Sequence, residues 1–163
     1  MIFVTVGTHE QPFNRLVKKM DLIAKALNEK VIIQSGYSTY IPQYAEYKKF
    51  MDYEEMKQNY DKARIIVTHG GPSSFLDAVQ LGKIPIVVPR QKKYEEHINN
   101  HQVNFCLKVQ KKDNNIIVLL DENELVTTIK NYDKIVSKMN LSGSSHNRLF
   151  MENFENVVES LFK

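Results

Sequence analysis

The nine residues His69-Gly70-Gly71-Pro72-Ser73-Ser74-Phe75-Leu76-Asp77 hold the densest chemistry in the chain. They follow an apolar run, Ile65-Ile66-Val67-Thr68, that reads as a buried strand. Two glycines permit close backbone approach to a ligand. The helix that must follow presents free N–H groups and the positive end of its dipole, which suits a diphosphate. Ser73 and Ser74 can cap that helix or donate to phosphate oxygens. Asp77, about one turn in, can accept hydrogen bonds from vicinal ribose hydroxyls. Read as structure alone, the same stretch is a capped helix with an exposed aspartate. It is neither a P-loop, since no Lys-Ser/Thr pair follows the last glycine, nor a GxGxxG turn, which disfavours a nicotinamide enzyme.

Two further loops leave strand ends. Gly7-Thr8-His9-Glu10 follows Ile2-Phe3-Val4-Thr5-Val6; Gly7 allows a sharp turn and Thr8 offers a hydroxyl, although a plain strand-to-helix turn has the same form. The stretch from Pro89 and Arg90 through Glu96, His97, Asn100 and His101 to Gln102 follows the apolar run 84–88. Its side chains both donate and accept, as sugar hydroxyls require, while the bland alternative is a solvated helix start. His97 and His101 stand four apart like a metal pair, but the glutamate of an H-E-x-x-H motif and a third ligand are missing, so no metal is expected.

The elements that must position these loops alternate. Strands are predicted at 2–6, 31–34, 47–51 (weakly), 65–68, 84–89 and 116–120. A helix starting near Pro12 carries Leu16, Met20, Ile23 and Leu27 as a one-sided apolar stripe. Asp52 caps a short helix to about residue 61, the helix after the glycines stops at Gly82, another spans about 95–109, and Asp121-Glu122-Asn123-Glu124 reads as a capping box. The alternation predicts an α/β fold: one Rossmann-like parallel sheet with helices on both faces, its ligands at the carboxyl ends of the strands. Residues 1–141 form the domain. Residues 142–163 form a linker, opening on Ser142-Gly143-Ser144-Ser145, and a helix with Phe150, Phe154, Val157 and Leu161 on one face, which packs on the domain or on a partner.

The chain of 163 residues fits a single domain, and 42% hydrophobic with 25% charged residues places it among folded globular proteins. A net charge of +3, spread over lysine doublets, points away from nucleic acid as a partner. Cys106 is the only cysteine; set among Val103, Phe105 and Leu107, it reads as a buried, inert thiol. No secretory signal or membrane-length apolar run is found, so a cytoplasmic location is expected, with any membrane contact made through a partner.

Together, His69-Gly70-Gly71-x-Ser73-Ser74-x-x-Asp77, Gly82-Lys83-x-Pro85, Pro89 and the polar run with Asn100 and Gln102 resemble the glycosyltransferase family 28 C-terminal domain, the donor-binding half of GT-B glycosyltransferases. The opening Phe3-Val4-Thr5-Val6-Gly7-Thr8 resembles the small catalytic subunits of bipartite transferases. These include the N-acetylglucosaminyltransferase of eukaryotic lipid-linked oligosaccharide assembly and bacterial capsule or exopolysaccharide β-1,4-galactosyltransferases. His9-Glu10-Gln11-Pro12-Phe13 and Glu96-His97-x-x-Asn100-His101-Gln102 look most like the bacterial branch. The resemblance implies a UDP-sugar donor carrying galactose or N-acetylglucosamine and a lipid-linked saccharide acceptor in surface polysaccharide biosynthesis. It further implies an inverting, metal-independent hexosyl transfer, active only with a membrane-anchored acceptor-binding subunit at the inner face of the membrane.

By the same resemblance, Gly70, Gly71, Ser73 and Ser74 contact the diphosphate and Asp77, where relatives carry glutamate, the ribose. Glu96 and His97 occupy positions where relatives place amides on the donor sugar, so the sugar's identity stays open. The donor set is completed by Gly7, Thr8, His69, Arg90 and Gln102, and His9 is the best internal candidate for the general base. A non-catalytic nucleotide-sugar-binding regulatory subunit is the alternative. A flavodoxin-like or receiver-like domain lacks its usual marks, a flavin phosphate loop or a phosphoacceptor aspartate after the first strand.

Overall fold

The computed structural model describes residues 1–139 together with Asn153, Phe154 and Glu159. Among them, six parallel strands form one sheet: β1 (Ile2–Thr5), β2 (Val31–Gln34), β3 (Glu46–Lys48), β4 (Ile65–His69), β5 (Ile86–Val88) and β6 (Ile117–Val118). Their order is β3-β2-β1-β4-β5-β6. The register sets Thr5 beside both Gln34 and Thr68, and His69 beside Val88. The order reverses between β1 and β4, and there the loops leaving the two strands diverge and open a crevice.

The inner strands are buried on both faces because their residues alternate between two apolar layers. Ile2, Val4 and Val6 pack with Leu16, Val17, Met20 and Ile23 of α1 (Asn14–Ala26), Leu125 and Ile129 of α5 (Leu125–Lys130) and Tyr132 of α6 (Tyr132–Lys138). Phe3 and Ile66 face the other way, onto Tyr60 of α2 (Tyr53–Lys62) and Ala78 of α3 (Pro72–Gln80). Phe75 and Val79 of α3 meet Val87 and Cys106, the latter on α4 (His101–Asp113). Each such fully buried apolar side chain contributes about 1.5–3 kcal/mol.

Several helix ends follow their sequence signals. Asp52 caps α2 in a reciprocal box, its Oδ1 accepting from Glu55 N at 2.8 Å while Glu55 Oε2 accepts from Asp52 N at 2.9 Å. Gly82, at φ +72°, follows α3. The Lys83 ammonium donates to the carbonyls of Tyr60, Asp61 and Ala63 and satisfies the end of α2.

Other boundaries differ. α1 begins at Asn14 rather than near Pro12, and β3 lies at Glu46–Lys48 rather than 47–51. The helix expected from about residue 95 begins at His101. Only Lys92–Tyr94 form a short 3₁₀ turn; Glu95 then adopts a left-handed conformation, φ 58°, and breaks the chain direction. Asp121 caps a 3₁₀ turn, Glu122–Glu124, by accepting from Asn123 N at 2.9 Å. Of the apolar face expected near the C-terminus, Phe154 is buried, its ring edge-on to Phe105 at 5.6 Å and Phe75 at 6.1 Å. Phe150, Val157, Leu161 and the Ser142–Ser145 stretch lie outside the described residues. No described helix is long and apolar enough to cross a membrane.

Candidate functional site

The centre of the crevice is His69, the last residue of β4 and only 8% exposed. Its ring lies where two neighbouring glycines have no side chain. A Cβ on Gly7 would stand 2.4 Å from Nε2, and one on Gly71 would stand 2.1 Å from Cε1. Gly7 also needs its φ of +76°. At Gly70 a Cβ would meet Gln102 Cβ, Cys106 Sγ and Pro89 Cβ at 2.9–3.0 Å. The glycines, read as room for a ligand, thus make room for the protein's own side chains. Gly71, at φ −71°, has ordinary backbone geometry.

The backbone amides of this turn are engaged as well. Gly71 N–H donates to His69 Nδ1 at 3.0 Å, and Gly70 N–H to Gln102 Oε1 at 3.2 Å. The same Gln102 oxygen accepts from Arg90 N at 3.0 Å, so one amide ties the glycine turn to the β5 loop. Ser73 and Ser74 do not cap α3: Gly71 occupies the cap position and Pro72 the first turn. Ser73 is exposed and Ser74 half-buried, with its Oγ 3.0 Å from His69 Nε2. Burial, reinforced by Arg90 and His9, pushes the His69 imidazole down to about 3, so it is neutral at physiological pH.

Asp77 sits on the exposed side of α3 facing α2, beside a hollow of about 210 Å³ shared with Tyr53, Met56 and Tyr60. Partial burial raises its carboxyl above the usual range. On the other flank of α3, Gly70, Pro72, His97, His101, Gln102 and Lys108 border a cavity of about 430 Å³. The cavity thus adjoins the α3 N-terminus, whereas the hollow at Asp77 extends along α3 to Gln80 and Leu81 at its C-terminal end.

Two residues assigned to the donor set have their side chains committed elsewhere. Arg90 is fully buried; its guanidinium donates to the carbonyls of Val6 at 2.8 Å, Gln11 at 2.6 Å and Glu96 at 3.1 Å, and burial pulls it down to about 10. Glu96 is 3% exposed and pairs two-pronged with Arg15, at 2.8 and 2.9 Å, while accepting from Gln91 N at 3.0 Å. Both hold the β1 and β5 loops together. The sequence does not announce this, because the partners across the two loops lie 79 to 84 positions away.

The loops so held bring His9 and His97 into a parallel stack, centroids 4.8 Å apart and planes 14° apart. Burial, then His9 and Arg90, lower the His97 pKa. His97 precedes α4 while His101 begins it, so the two do not share a helical face. Among the described residues no cluster of three His, Cys, Asp or Glu could hold a metal. Thr8 is exposed at the crevice rim. Cys106 is buried as expected, its thiol pushed up to about 12.

Sequence reasoning passed over three residues that shape the site. Gln11 Nε2 donates to Glu95 O at 3.1 Å, which leaves Oε1 facing His9 Nε2 at 2.8 Å; an amide oxygen only accepts, so His9 Nε2 is the donor. Gln34 spans the carbonyls of Gly7 and Lys49 at 3.2 and 2.9 Å. Asp21, buried in α1, accepts from the amides of Gln43, Tyr44 and Ala45 and from Tyr40 O–H, pinning the loop before β3. A carboxylate beside the apolar stripe residue Met20 was the available signal.

This strand order, with a helix N-terminus facing the reversal point, defines a Rossmann-like domain, and the whole sheet with its surrounding helices matches the C-terminal half of GT-B glycosyltransferases. The model of the glycosyltransferase family 28 C-terminal domain matches residues 1–158, and the chain belongs to that family. It is 27% identical over 122 residues to the human UDP-N-acetylglucosamine transferase subunit ALG13, covering 68% of this chain but a tenth of that protein. Similar folds include the glycotransferase of kitacinnamycin (TM-score 0.55, 13% identity, 90% of this chain and 39% of that one). Another is CalG4, the calicheamicin glycosyltransferase (TM-score 0.54, 16% identity, 90% and 35%). The chain spans well under half the length of each of these relatives.

Proposed function

We propose that the chain is the donor-binding, catalytic subunit of an inverting glycosyltransferase. The observation that carries this is the layout along α3: a cavity lined by amides and imidazoles at its N-terminus and, further along the helix, a hollow beside the Asp77 carboxylate. A nucleoside diphosphate sugar laid across that N-terminus would set its ribose at Asp77, its phosphates at Ser73 and Ser74, and its sugar at His97 and Gln102. The α3 dipole and the two hydroxyls then stabilise the departing UDP, in the role a metal ion plays elsewhere. As the acceptor hydroxyl oxygen bonds to the anomeric carbon, the bond from that carbon to UDP breaks and the hydroxyl proton passes to a base. His9 suits that role: with Nε2–H held by Gln11 Oε1, its Nδ1 carries the free lone pair.

The sugar is galactose or N-acetylglucosamine and the acceptor a lipid-linked saccharide in surface polysaccharide assembly. A membrane-anchored acceptor-binding subunit completes the cleft and recruits the chain to the inner face of the membrane. Membership of the family and similarity to a transferase subunit support this reading. Coexpression with a neighbouring-gene partner, followed by transfer from UDP-galactose or UDP-N-acetylglucosamine to a lipid-linked acceptor, tests it; full activity of the isolated chain would contradict the two-subunit arrangement.

One observation favours a second reading, a regulatory subunit that binds the nucleotide sugar without catalysis. The amides of Gly70 and Gly71 are already engaged by Gln102 and His69 and so offer no open cradle. Donor binding without transfer, even with the partner present, would decide for it.

A further inference from the structure

The glycine turn holds a histidine whose two ring nitrogens face different groups, and the chemistry of those groups fixes where its hydrogen sits. Gly71 N–H can only donate, so Nδ1, 3.0 Å away, carries the lone pair. A neutral imidazole then bears its hydrogen on Nε2, which stands 3.0 Å from Ser74 Oγ. Protonating Nδ1 would set two N–H groups against each other in a buried site that already contains Arg90. The ring has no room to turn, because it presses against both Gly7 and Gly71. A serine hydroxyl has one hydrogen and two lone pairs; having accepted from Nε2–H, it has its own hydrogen left to give. Ser74 stands in the first turn of α3, half-buried, at the end of the helix where the dipole favours an anion.

We propose that His69 is a positioning residue that turns the Ser74 hydroxyl into a committed hydrogen-bond donor toward a phosphate oxygen of the bound nucleotide. The proposal rests on the donor-site reading given above. It assigns the turn's anion recognition to a side-chain hydroxyl, in place of the glycine amides, which are spent on holding His69 and Gln102. It also accounts for glycine at positions 7 and 71, where any side chain would displace the ring that directs the hydroxyl.

The test combines long-range proton–nitrogen NMR of the full chain with calorimetric titration of UDP and of uridine. The spectrum is expected to show His69 with a pyridine-type Nδ1 and a protonated Nε2; the opposite tautomer overturns the proposal. Ser74→Ala and His69→Asn are each expected to weaken UDP about 10- to 100-fold while changing uridine by less than about twofold. The double variant should bind UDP no more weakly than Ser74→Ala alone, because the histidine acts through the serine. Equal losses for uridine and UDP, or additive losses in the double variant, mark a merely structural histidine and overturn the proposal. If His69→Asn does not fold, the tautomer together with the Ser74→Ala selectivity decides. Failure of the unaltered chain to bind UDP overturns the donor-site reading and the phosphate acceptor with it, whereas the spectrum reports separately on the His69–Ser74 link.

Discussion

Removing the Glu96 carboxylate separates a structural role from a ligand-binding one. Glu96→Ala deletes two charge-assisted bonds to Arg15, at 2.8 and 2.9 Å, and the acceptor of Gln91 N–H. Both partners are shielded, Glu96 being 3% and the Arg15 side chain 9% exposed. Breaking such a pair from one side costs about 3–5 kcal/mol, mostly through the charge left behind. Arg15 is not stranded, since Glu122 Oε2 lies at 3.1 Å and the Tyr94 ring at 4.6 Å. The lower end, about 3 kcal/mol, is therefore expected, or a fall in melting temperature of about 6–12 °C for a domain of this size. Glu96→Gln keeps an acceptor for Gln91 N–H and one neutral bond to Arg15, and should lose about half as much. Urea unfolding followed by circular dichroism gives the difference directly, with an unchanged slope confirming that the same surface unfolds. A midpoint equal to that of the parent chain, together with lost UDP-sugar affinity, would refute the reasoning and return the carboxylate to the donor.

Acid should weaken the fold through His69. Its pKa is near 3 when folded and near 6.5 when unfolded, so between those values the unfolded chain binds the extra proton. Stability is then lost as pH falls from about 6.5 toward 3, at up to about 1.4 kcal/mol per pH unit, and a His69→Asn variant should show a flatter dependence in pH-dependent urea melts. Gly71→Ala puts a methyl group 2.1 Å from His69 Cε1 and should cost about 1–3 kcal/mol despite the ordinary backbone angle; a melting temperature within error of the parent would show that the ring is not clamped. On the proposed mechanism, transfer in the presence of the partner should survive chelation, because the α3 N-terminus and serine hydroxyls would carry the leaving-group charge; activity lost in EDTA and restored by manganese would contradict that.

The fold was legible where the signal was local and repeated. Runs such as Ile2 to Val6 and Ile65 to Thr68 had to be buried strands, the stripe from Leu16 to Leu27 had to be a helix, and the capping power of Asp52 lay in its own residue type. What stayed hidden depended on contacts distant in sequence. Nothing local warns that Glu95 turns left-handed, because Glu96 is drawn inward by Arg15, 81 positions earlier. Arg90 and Glu96 resemble ligand-binding groups in any one-dimensional reading, yet both are consumed in joining two loops. The glycines were read as room for a ligand, whereas the space they leave is filled by His69, Gln102 and Cys106. Gln11 was invisible because its importance lies in the tautomer it imposes on His9, which only the distances to His9 and Glu95 disclose.

The central claim, that a uridine nucleotide lies across the α3 N-terminus with its ribose at Asp77, is most directly tested by titrating UDP into the purified chain and into its Asp77→Ala variant by calorimetry. Asp77 is exposed, so the substitution should leave the melting temperature nearly unchanged. The account predicts saturable one-to-one binding that the variant weakens by about 1.5–3 kcal/mol, the worth of a charge-assisted hydrogen bond to a ribose hydroxyl. Absence of UDP binding by the parent chain, or an equal dissociation constant in the variant, would contradict it.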